Sequence, residues 1–496
     1  MTVPAPPAPS SAAPSSAAPS SPPERPDRVV PTWTDPAATQ ASEAFGGPWG
    51  RHAVTGRARF WTPLRVCLLF TTLVLALAWL KQSPCADGNW SGSKQYTHFC
   101  YSDEVPLFSV YGLDKGAVPY LDARVEYPVL TGAFIEGAAV LGRTYDSVTS
   151  GSTVLPHAPP VESYTVLTCL LLSLCAFVVT RTVLGLSGRR PWDAAMVALS
   201  PVLLVYAFNN WDLLAVALST LGMLAWARRW PVAAGVLLGL AVAAKFYPLL
   251  ILGALFLLCV RAGQLRTWTR TAVAATLAWL VVDVPIAILA PANWAWFFVF
   301  SQQRPANPET VWNILIYLSN GRAFDGPLAP GQAPTVLNAV ITALLVVFGL
   351  LVGWLVFRAP VRPRVAQVSF LLVAGFLELN KVWSPQYALW LLPLAVLARP
   401  KWRSLLLWQL SAALVWMMTM LDYLGTANRG IGVQWFYASA LVRDVVVLAL
   451  MALVVRDVLQ PDQDVVRTSW PGVDDPAGGV LDGAPDRVTA ARTPAQ

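Results

Sequence analysis

The stretch TVLNAVITALLVVFGLLVGWLVF, residues 335–357, decides the fold. It contains no charged residue. A run of about 20 such residues is long enough to cross the hydrocarbon core of a bilayer as an α-helix. The stretch is therefore predicted to be a transmembrane helix.

The composition of the whole chain indicates that this helix is one of many. Of its 496 residues, 55% are hydrophobic and 13% are charged, and the mean hydropathy is +0.52. A soluble domain carries about 25% charged residues and has no means of hiding so much apolar surface from water. The sequence therefore predicts an all-α, polytopic protein of the cell membrane, with lipids as its surroundings.

About a dozen segments have the apolar character of transmembrane helices. Several are shorter than the roughly 20 residues of a full span, so these are expected to be tilted, broken or re-entrant. The predicted spans are 64–80, 164–181, 194–208, 211–227, 231–244, 248–260, 271–290, 335–357, 365–379, 387–398, 404–421 and 437–456.

Basic residues cluster in alternate connections between these spans, and by the positive-inside rule those connections are cytoplasmic. The net charge of +7 is explained by this pattern, so nucleic acid is not an expected partner. Both termini are then cytoplasmic, and the long connections 81–163 and 291–334 lie outside. The clusters are Arg181/Arg189/Arg190, Arg228/Arg229, Arg261/Arg266/Arg270, Arg358/Arg362/Arg364 and Arg399/Lys401/Arg403.

Three regions follow from this organisation. Residues 1–60 are rich in Pro, Ala and Ser and are predicted to be a disordered cytoplasmic tail. Residues 61–456 form the membrane domain, and 457–496 are predicted to be a second disordered tail. Within the first outer connection, 129–142 is too short to span and carries Glu136, which favours an amphipathic helix at the interface.

Two cysteines, Cys85 and Cys100, stand apart in the first outer connection, where an oxidising compartment makes them a disulfide candidate. The other four cysteines lie in apolar runs and are expected to be small buried hydrophobes. No zinc-binding spacing is present and the acids do not cluster at ligand spacing, so no metal and no cofactor is predicted.

Four stretches together resemble glycosyltransferase family 87, whose members are membrane enzymes of the GT-C class. The resemblance extends over about residues 62–456. It implies a GT-C fold and the inverting transfer of a sugar, often mannose, from a polyprenyl phosphate to a cell-envelope lipid or glycan outside the membrane. The four stretches are CYSDEVPLFSVYGLDKGAVPYLDARVEYPVLTG (100–132), NNWDLLAVAL (209–218), AAGVLLGLAVAAKFYPLLIL (233–252) and NKVWSPQYALWLLPL (380–394).

A lipid phosphate leaves as an anion, so such a reaction needs cations at the phosphate and one base for the acceptor hydroxyl. The first acid after the first span is the usual base position in the GT-C class, and Asp103 matches it, with Glu104 as the neighbouring alternative. From the residues alone, acids at a helix N-terminus are the favoured explanation of the pair. The resemblance favours the catalytic role.

Two lysines interrupt apolar sequence at the tips of predicted hairpins that point outward. Lys245 lies in AAKFYP, and Lys381 precedes Ser384-Pro385-Gln386-Tyr387. Because the hairpin arms are short, the tips are expected to line a cavity below the outer surface, where two cations hold a phosphate. The alternative is that both lysines extend to lipid headgroups without a further role.

Other candidates for substrate binding lie in the same outer regions. Arg304 is a further phosphate ligand or a headgroup contact, and Asp212 either binds sugar hydroxyls or caps its helix. Some branches of the family have paired histidines near the SPQY segment, and this chain has none there, so either the base acts alone or the acceptor differs from that of those branches. The remaining substrate-binding candidates are Arg124, Glu126 and Gln386.

The main alternative function is a transporter or flippase for lipids or polyprenyl-linked sugars. Transporters often contain two matching repeats with broken helices, and the two lysine-tipped hairpins superficially resemble such a pair. Their sequences barely match, however, and the acids concentrate in one outer loop. A non-enzymatic scaffold of envelope assembly is the third class.

Overall fold

The computed structural model describes residues 61–154, 156–469 and 474–488. This part of the chain is helical and contains no β-strand. The predicted tail at 1–60 lies outside the described residues.

Six helices are long and apolar enough to cross a membrane. Two of them begin at a proline, which fits the first helical position because its missing N–H would have no partner there. The six are α1 (Pro63–Gln82), α4 (Pro160–Leu186), α9 (Leu265–Leu289), α12 (Thr335–Arg358), α15 (Trp402–Leu424) and α16 (Val433–Leu459), with α2 (Glu104–Val110) and α3 (Val129–Thr149) between the first two.

Further apolar helices are shorter. A helix of 14 residues, such as Pro231–Ala244, is about 21 Å long and therefore shorter than the ~30 Å hydrocarbon core. The count of a dozen spans thus stays a prediction. These helices are α5 (Pro201–Tyr206), α6 (Asp212–Ala227), α7 (Pro231–Ala244), α8 (Pro248–Ala262), α13 (Val365–Leu379) and α14 (Ala388–Ala398). The connection at 291–334 contains α10 (Pro291–Gln303) and α11 (Val311–Leu318).

Helices α7 and α9 pack with their backbones almost in contact. A Cβ atom on Gly235 would lie 2.2 Å from the carbonyl oxygen of Thr271, and one on Gly239 would lie 2.2 Å from that of Ala275. Small residues permit this close approach between helices in lipid, where van der Waals packing replaces the hydrophobic effect. Larger apolar side chains, among them Leu73 of α1, remain exposed on the outer faces of the bundle.

The connection at residues 81–163, which is predicted to lie outside, contains several short helices as well as α3. Cys85 and Cys100 are joined by a disulfide within it. The amphipathic helix predicted at 129–142 is longer than expected, since α3 continues to Thr149. Arg143, just beyond the predicted end, forms an ion pair with Glu136 at 2.6 Å.

The segment after residue 456 is not a disordered tail where the structure describes it, so that prediction is wrong for 457–469 and 474–488. Asp464 forms a buried ion pair with Arg364 at 2.7 Å. Asp486 pairs with Arg261 at 2.7 Å and with Arg362 at 2.9 Å. The polar composition that suggested disorder instead supplies the counter-charges for arginines at the helix ends.

Candidate active site

A cavity of about 520 Å³ lies where six segments of the chain meet. This volume is in the range of about 300–1,000 Å³ that is usual for small-molecule sites. Its walls carry three acids and three cations among tyrosine, tryptophan and phenylalanine rings. The charged residues are Asp103, Glu126, Lys245, Arg304, Glu309 and Lys381.

Asp103 occupies the residue before α2, but its side chain does not cap that helix. The nearby cap-like bond comes from Ser102, whose hydroxyl accepts from the Glu104 N–H at 3.2 Å. The Asp103 carboxylate instead lines the cavity. Capping therefore does not explain this residue.

Two donors hold the Asp103 carboxylate, one on each oxygen. Asn210 Nδ2 donates to Oδ2 at 2.7 Å, and the Tyr101 hydroxyl donates to Oδ1 at 3.1 Å. Burial raises the pKa of Asp103, and these two hydrogen bonds act in the opposite direction because they favour the ionised form. A carboxylate keeps further lone pairs on both oxygens, so it can still accept a proton from a group in the cavity.

Glu104 turns away from the cavity into the protein. Its side chain is fully buried. Among the residues that the structure describes, Oε1 has no hydrogen-bond partner and Oε2 has only the Cys169 thiol at 4.0 Å. Burial raises the pKa of Glu104 well above its usual range, and the neighbouring Asp103 charge adds to this effect. A carboxyl group in this position is not placed to take a proton from a substrate.

Lys245 lies in the break between α7 and α8. Helix α7 ends at Ala244, in keeping with Pro248, which cannot donate the backbone hydrogen bond that would continue it. The Thr131 hydroxyl donates to the freed Ala244 carbonyl at 2.7 Å. Lys245 itself is extended, so its side chain leaves the helix direction and lines the cavity.

The Lys245 ammonium is surrounded by one acid and several aromatic faces. It lies 3.1 Å from Asp212 Oδ1, 4.7 Å from the ring centroid of Tyr127 and 5.2 Å from that of Tyr387. Aromatic faces attract a cation at such distances. Asp212 is fully buried and does not line the cavity, so its contact is with Lys245 and not with a ligand in the cavity.

Arg304 and Lys381 reach the cavity because their segments are tied together. The Asn307 N–H donates to the Lys381 carbonyl at 2.8 Å, and Asn307 Nδ2 donates to Ser384 Oγ at 3.2 Å. Lys381 Nζ donates to the Gln302 carbonyl at 2.9 Å. Within the described residues the Arg304 guanidinium makes no hydrogen bond or ion pair, and it lies 5.8 Å from the Phe300 ring. It is a cation available to a ligand.

The remaining sequence candidates divide between the cavity and the surface. Glu126 and Gln386 line the cavity. Burial raises the pKa of Glu126, while Arg304 lowers it. Arg124 is exposed and lies outside the cavity lining, with its guanidinium 5.0 Å from the Trp296 ring centroid.

Sequence reasoning missed two polar groups of the cavity. Glu309 is buried, and its backbone carbonyl accepts from Arg443 at 2.7 Å. Asn210 contacts Asp103 directly. The sequence signal for Asn210 was the polar pair Asn209-Asn210 between apolar segments. Polar side chains buried there must have hydrogen-bond partners, so the pair indicated contacts with other polar groups. Glu309 had no comparable signal, because an acid in a polar loop is ordinary.

No group of three His, Cys, Asp or Glu side chains within the described residues is arranged to hold a metal ion.

The fold and the cavity define a helical, multi-pass membrane protein with a charged site suited to an anionic ligand. The family pattern of Glycosyltransferase family 87 matches residues 152–385 and confirms the family that the sequence resembles. This match indicates that the chain is a membrane glycosyltransferase. No curated protein matches it. The matched range contains Asn210, Lys245, Arg304 and Lys381, whereas Asp103 precedes it.

Proposed function

We propose that this protein transfers a sugar, mannose in the first instance, from a polyprenyl phosphate to a lipid or glycan of the cell envelope on the outer side of the membrane. The observation that carries the proposal is that the Asp103 carboxylate, which is held by two hydrogen bonds, lines the same cavity as cations from separate segments of the chain.

The carboxylate serves the acceptor. An acceptor hydroxyl attacks the anomeric carbon, the bond from that carbon to the phosphate oxygen breaks, and the configuration inverts. Asp103 takes the proton that the hydroxyl loses, which is general-base catalysis. Glu104, with its raised pKa and its position outside the cavity, has no part in this step.

The cations serve the donor. Prenyl phosphate leaves with one more negative charge on its phosphate than it carries in the sugar ester, so a positive charge near it stabilises the transition state more than the ground state. Arg304 offers two parallel donors to phosphate oxygens, whereas Lys245 and Lys381 act as point charges. The polyprenyl chain is expected to remain among the exposed apolar helices and membrane lipids.

A transfer assay tests this function. Purified protein in liposomes receives polyprenyl-phosphate [¹⁴C]mannose, and membranes from cells lacking this protein supply the acceptors. We expect label to move from the acid-labile donor into an acid-stable glycoside. Polyprenyl-phosphate [¹⁴C]glucose is the matched control donor, which tests the identity of the sugar. Label that crosses the bilayer while remaining in intact donor would instead identify a flippase and refute the transfer reaction.

A further inference from the structure

The segment Asn209–Asp212, between α5 and α6, touches both the acidic and the basic part of the cavity. The Asn209 carbonyl accepts from the Asp103 N–H at 3.0 Å. Asn209 Oδ1 accepts from Lys81 Nζ at 2.8 Å, which holds this asparagine in place. Asp212, at the other end of the segment, pairs with Lys245 at 3.1 Å. One short segment therefore supports two separate groups of the site.

Asn210 uses its whole amide in this arrangement. Its Nδ2 donates to Asp103 Oδ2 at 2.7 Å and to the Tyr127 hydroxyl at 2.8 Å, while its Oδ1 accepts from the Trp211 N–H at 2.6 Å. The side chain is buried. A flipped amide would point an oxygen at the carboxylate and would leave the Trp211 N–H without its acceptor, so the chemistry defines the orientation.

We propose that Asn210 is a positioning residue for catalysis, which holds the Asp103 carboxylate in its ionised form and in the plane that faces the acceptor hydroxyl. This inference rests on the proposed function of Asp103 as the base. With Tyr101 on the other oxygen, one donor fixes each end of the carboxylate. Rotation of the carboxylate would break both bonds, and a base out of line with the hydroxyl loses rate steeply.

The same amide connects the base to the cation. Tyr127, which accepts from Asn210, presents its ring to the Lys245 ammonium at 4.7 Å. The distance between the acceptor-activating carboxylate and a phosphate-binding ammonium is thus set by one chain of contacts. Asn210 affects turnover through its contact with Asp103. It affects donor binding only weakly, because it does not touch the cations.

The informative variant is Asn210→Asp, which keeps the shape of the side chain and replaces a donor by a carboxylate beside Asp103. Two adjacent carboxylates disfavour joint ionisation, so the pH above which the base is ionised must rise. We expect the acid limb of the kcat profile to move up by about one pH unit or more. At the plateau, kcat should fall by about 10–100-fold, while the KM for polyprenyl-phosphate mannose stays near the wild-type value.

The other titratable groups that act on Asp103 are unchanged by this substitution. They are Tyr101 and Tyr111 on either side of α2, Glu104 in α2, Glu126 and Tyr127 before α3, Asp212 in α6, Lys245 between α7 and α8, and Tyr423 in α15. A shift of the profile is therefore assigned to position 210.

Two further variants keep the inference falsifiable. Tyr101→Phe removes the second donor and should shift the acid limb in the same direction by a smaller amount. Asn89→Asp makes the same Asn-to-Asp change at an exposed site in the connection that contains Tyr101 and Asp103. It should leave the pH profile unchanged. A folded Asn210→Asp protein with a wild-type pH profile overturns the positioning role. If Asp103→Asn itself transfers sugar normally, the proposed base is wrong, which is a distinct outcome.

Discussion

Lys245 Nζ lies 3.1 Å from Asp212 Oδ1, and Trp390 Nε1 donates to the same carboxylate oxygen at 2.8 Å. The acid is fully buried behind the cavity wall, and the ammonium is at the wall itself. A helix break would otherwise leave a lysine free to extend toward headgroups. The ion pair keeps this cation at one place in the site.

Loss of the acid should therefore destabilise the protein. Asp212→Asn leaves the buried Lys245 ammonium without its counter-charge, and removal of one partner of a buried pair typically costs about 3–5 kcal/mol. We expect a clearly lower midpoint of thermal unfolding for the purified protein in detergent. The double variant Asp212→Asn/Lys245→Met removes both charges and should recover part of the loss. An unchanged midpoint in the single variant would contradict the structural role of the pair.

The double variant also isolates the catalytic role of Lys245. It lacks the cation but carries no unpaired buried acid, so a loss of turnover reports on charge stabilisation. Removal of one electrostatic stabiliser of a transition state costs about 10²–10³-fold in kcat. We expect a fall of that order in labelled-sugar transfer, and partial activity for Lys245→Arg if the aromatic surroundings admit the larger head. Normal kcat in the folded double variant would return Lys245 to a structural role.

The sequence alone predicted the helical fold, because apolar runs are a local property that each segment carries by itself. It also selected Asp103, Lys245, Arg304 and Lys381, which the structure brings to one cavity. It did not separate Asp103 from Glu104, since neighbouring residues differ only in the direction of their side chains. That direction depends on contacts with Asn210 and Tyr101, which only the fold reveals.

The C-terminal segment shows the opposite failure. Its polar sequence predicted disorder because it contains too few apolar residues to form a core. In the structure, however, Asp464 and Arg364 form an ion pair in which both side chains are only 2% exposed. Arg364 also donates to the Leu397 and Ala398 carbonyls at the end of α14. Such pairing between residues far apart in sequence leaves no local signal.

The buried pair gives a stability prediction with a close control. Asp464→Asn should lower the free energy of unfolding by about 3–5 kcal/mol, since it removes the ion-pair partner of the buried Arg364 guanidinium. Asp462→Asn, two residues away at an exposed position, should have little effect. Thermal unfolding of both variants distinguishes them. Equal midpoints would indicate that the segment does not hold the helix ends together.

The orientation of the chain is open to direct labelling. Lys115 and Arg189 are both exposed, and the arginine distribution predicts that the first is outside and the second inside. In intact cells an impermeant maleimide should label Lys115→Cys and should label Arg189→Cys only after permeabilisation. The parent protein, whose free cysteines are mostly buried, measures the background. Labelling of position 189 but not 115 in intact cells would reverse the topology.

The central claim is that Asp103 is the base for sugar transfer, and the rate of label transfer by Asp103→Asn tests it most directly. The substitution keeps the shape but removes the proton acceptor, which typically contributes about 10²–10⁴-fold. We predict a loss of that size with unchanged thermal unfolding and donor binding. Glu104→Gln, which replaces a buried carboxyl of raised pKa by a neutral amide, should remain close to wild type. Near-normal transfer by a folded Asp103→Asn protein would contradict the account.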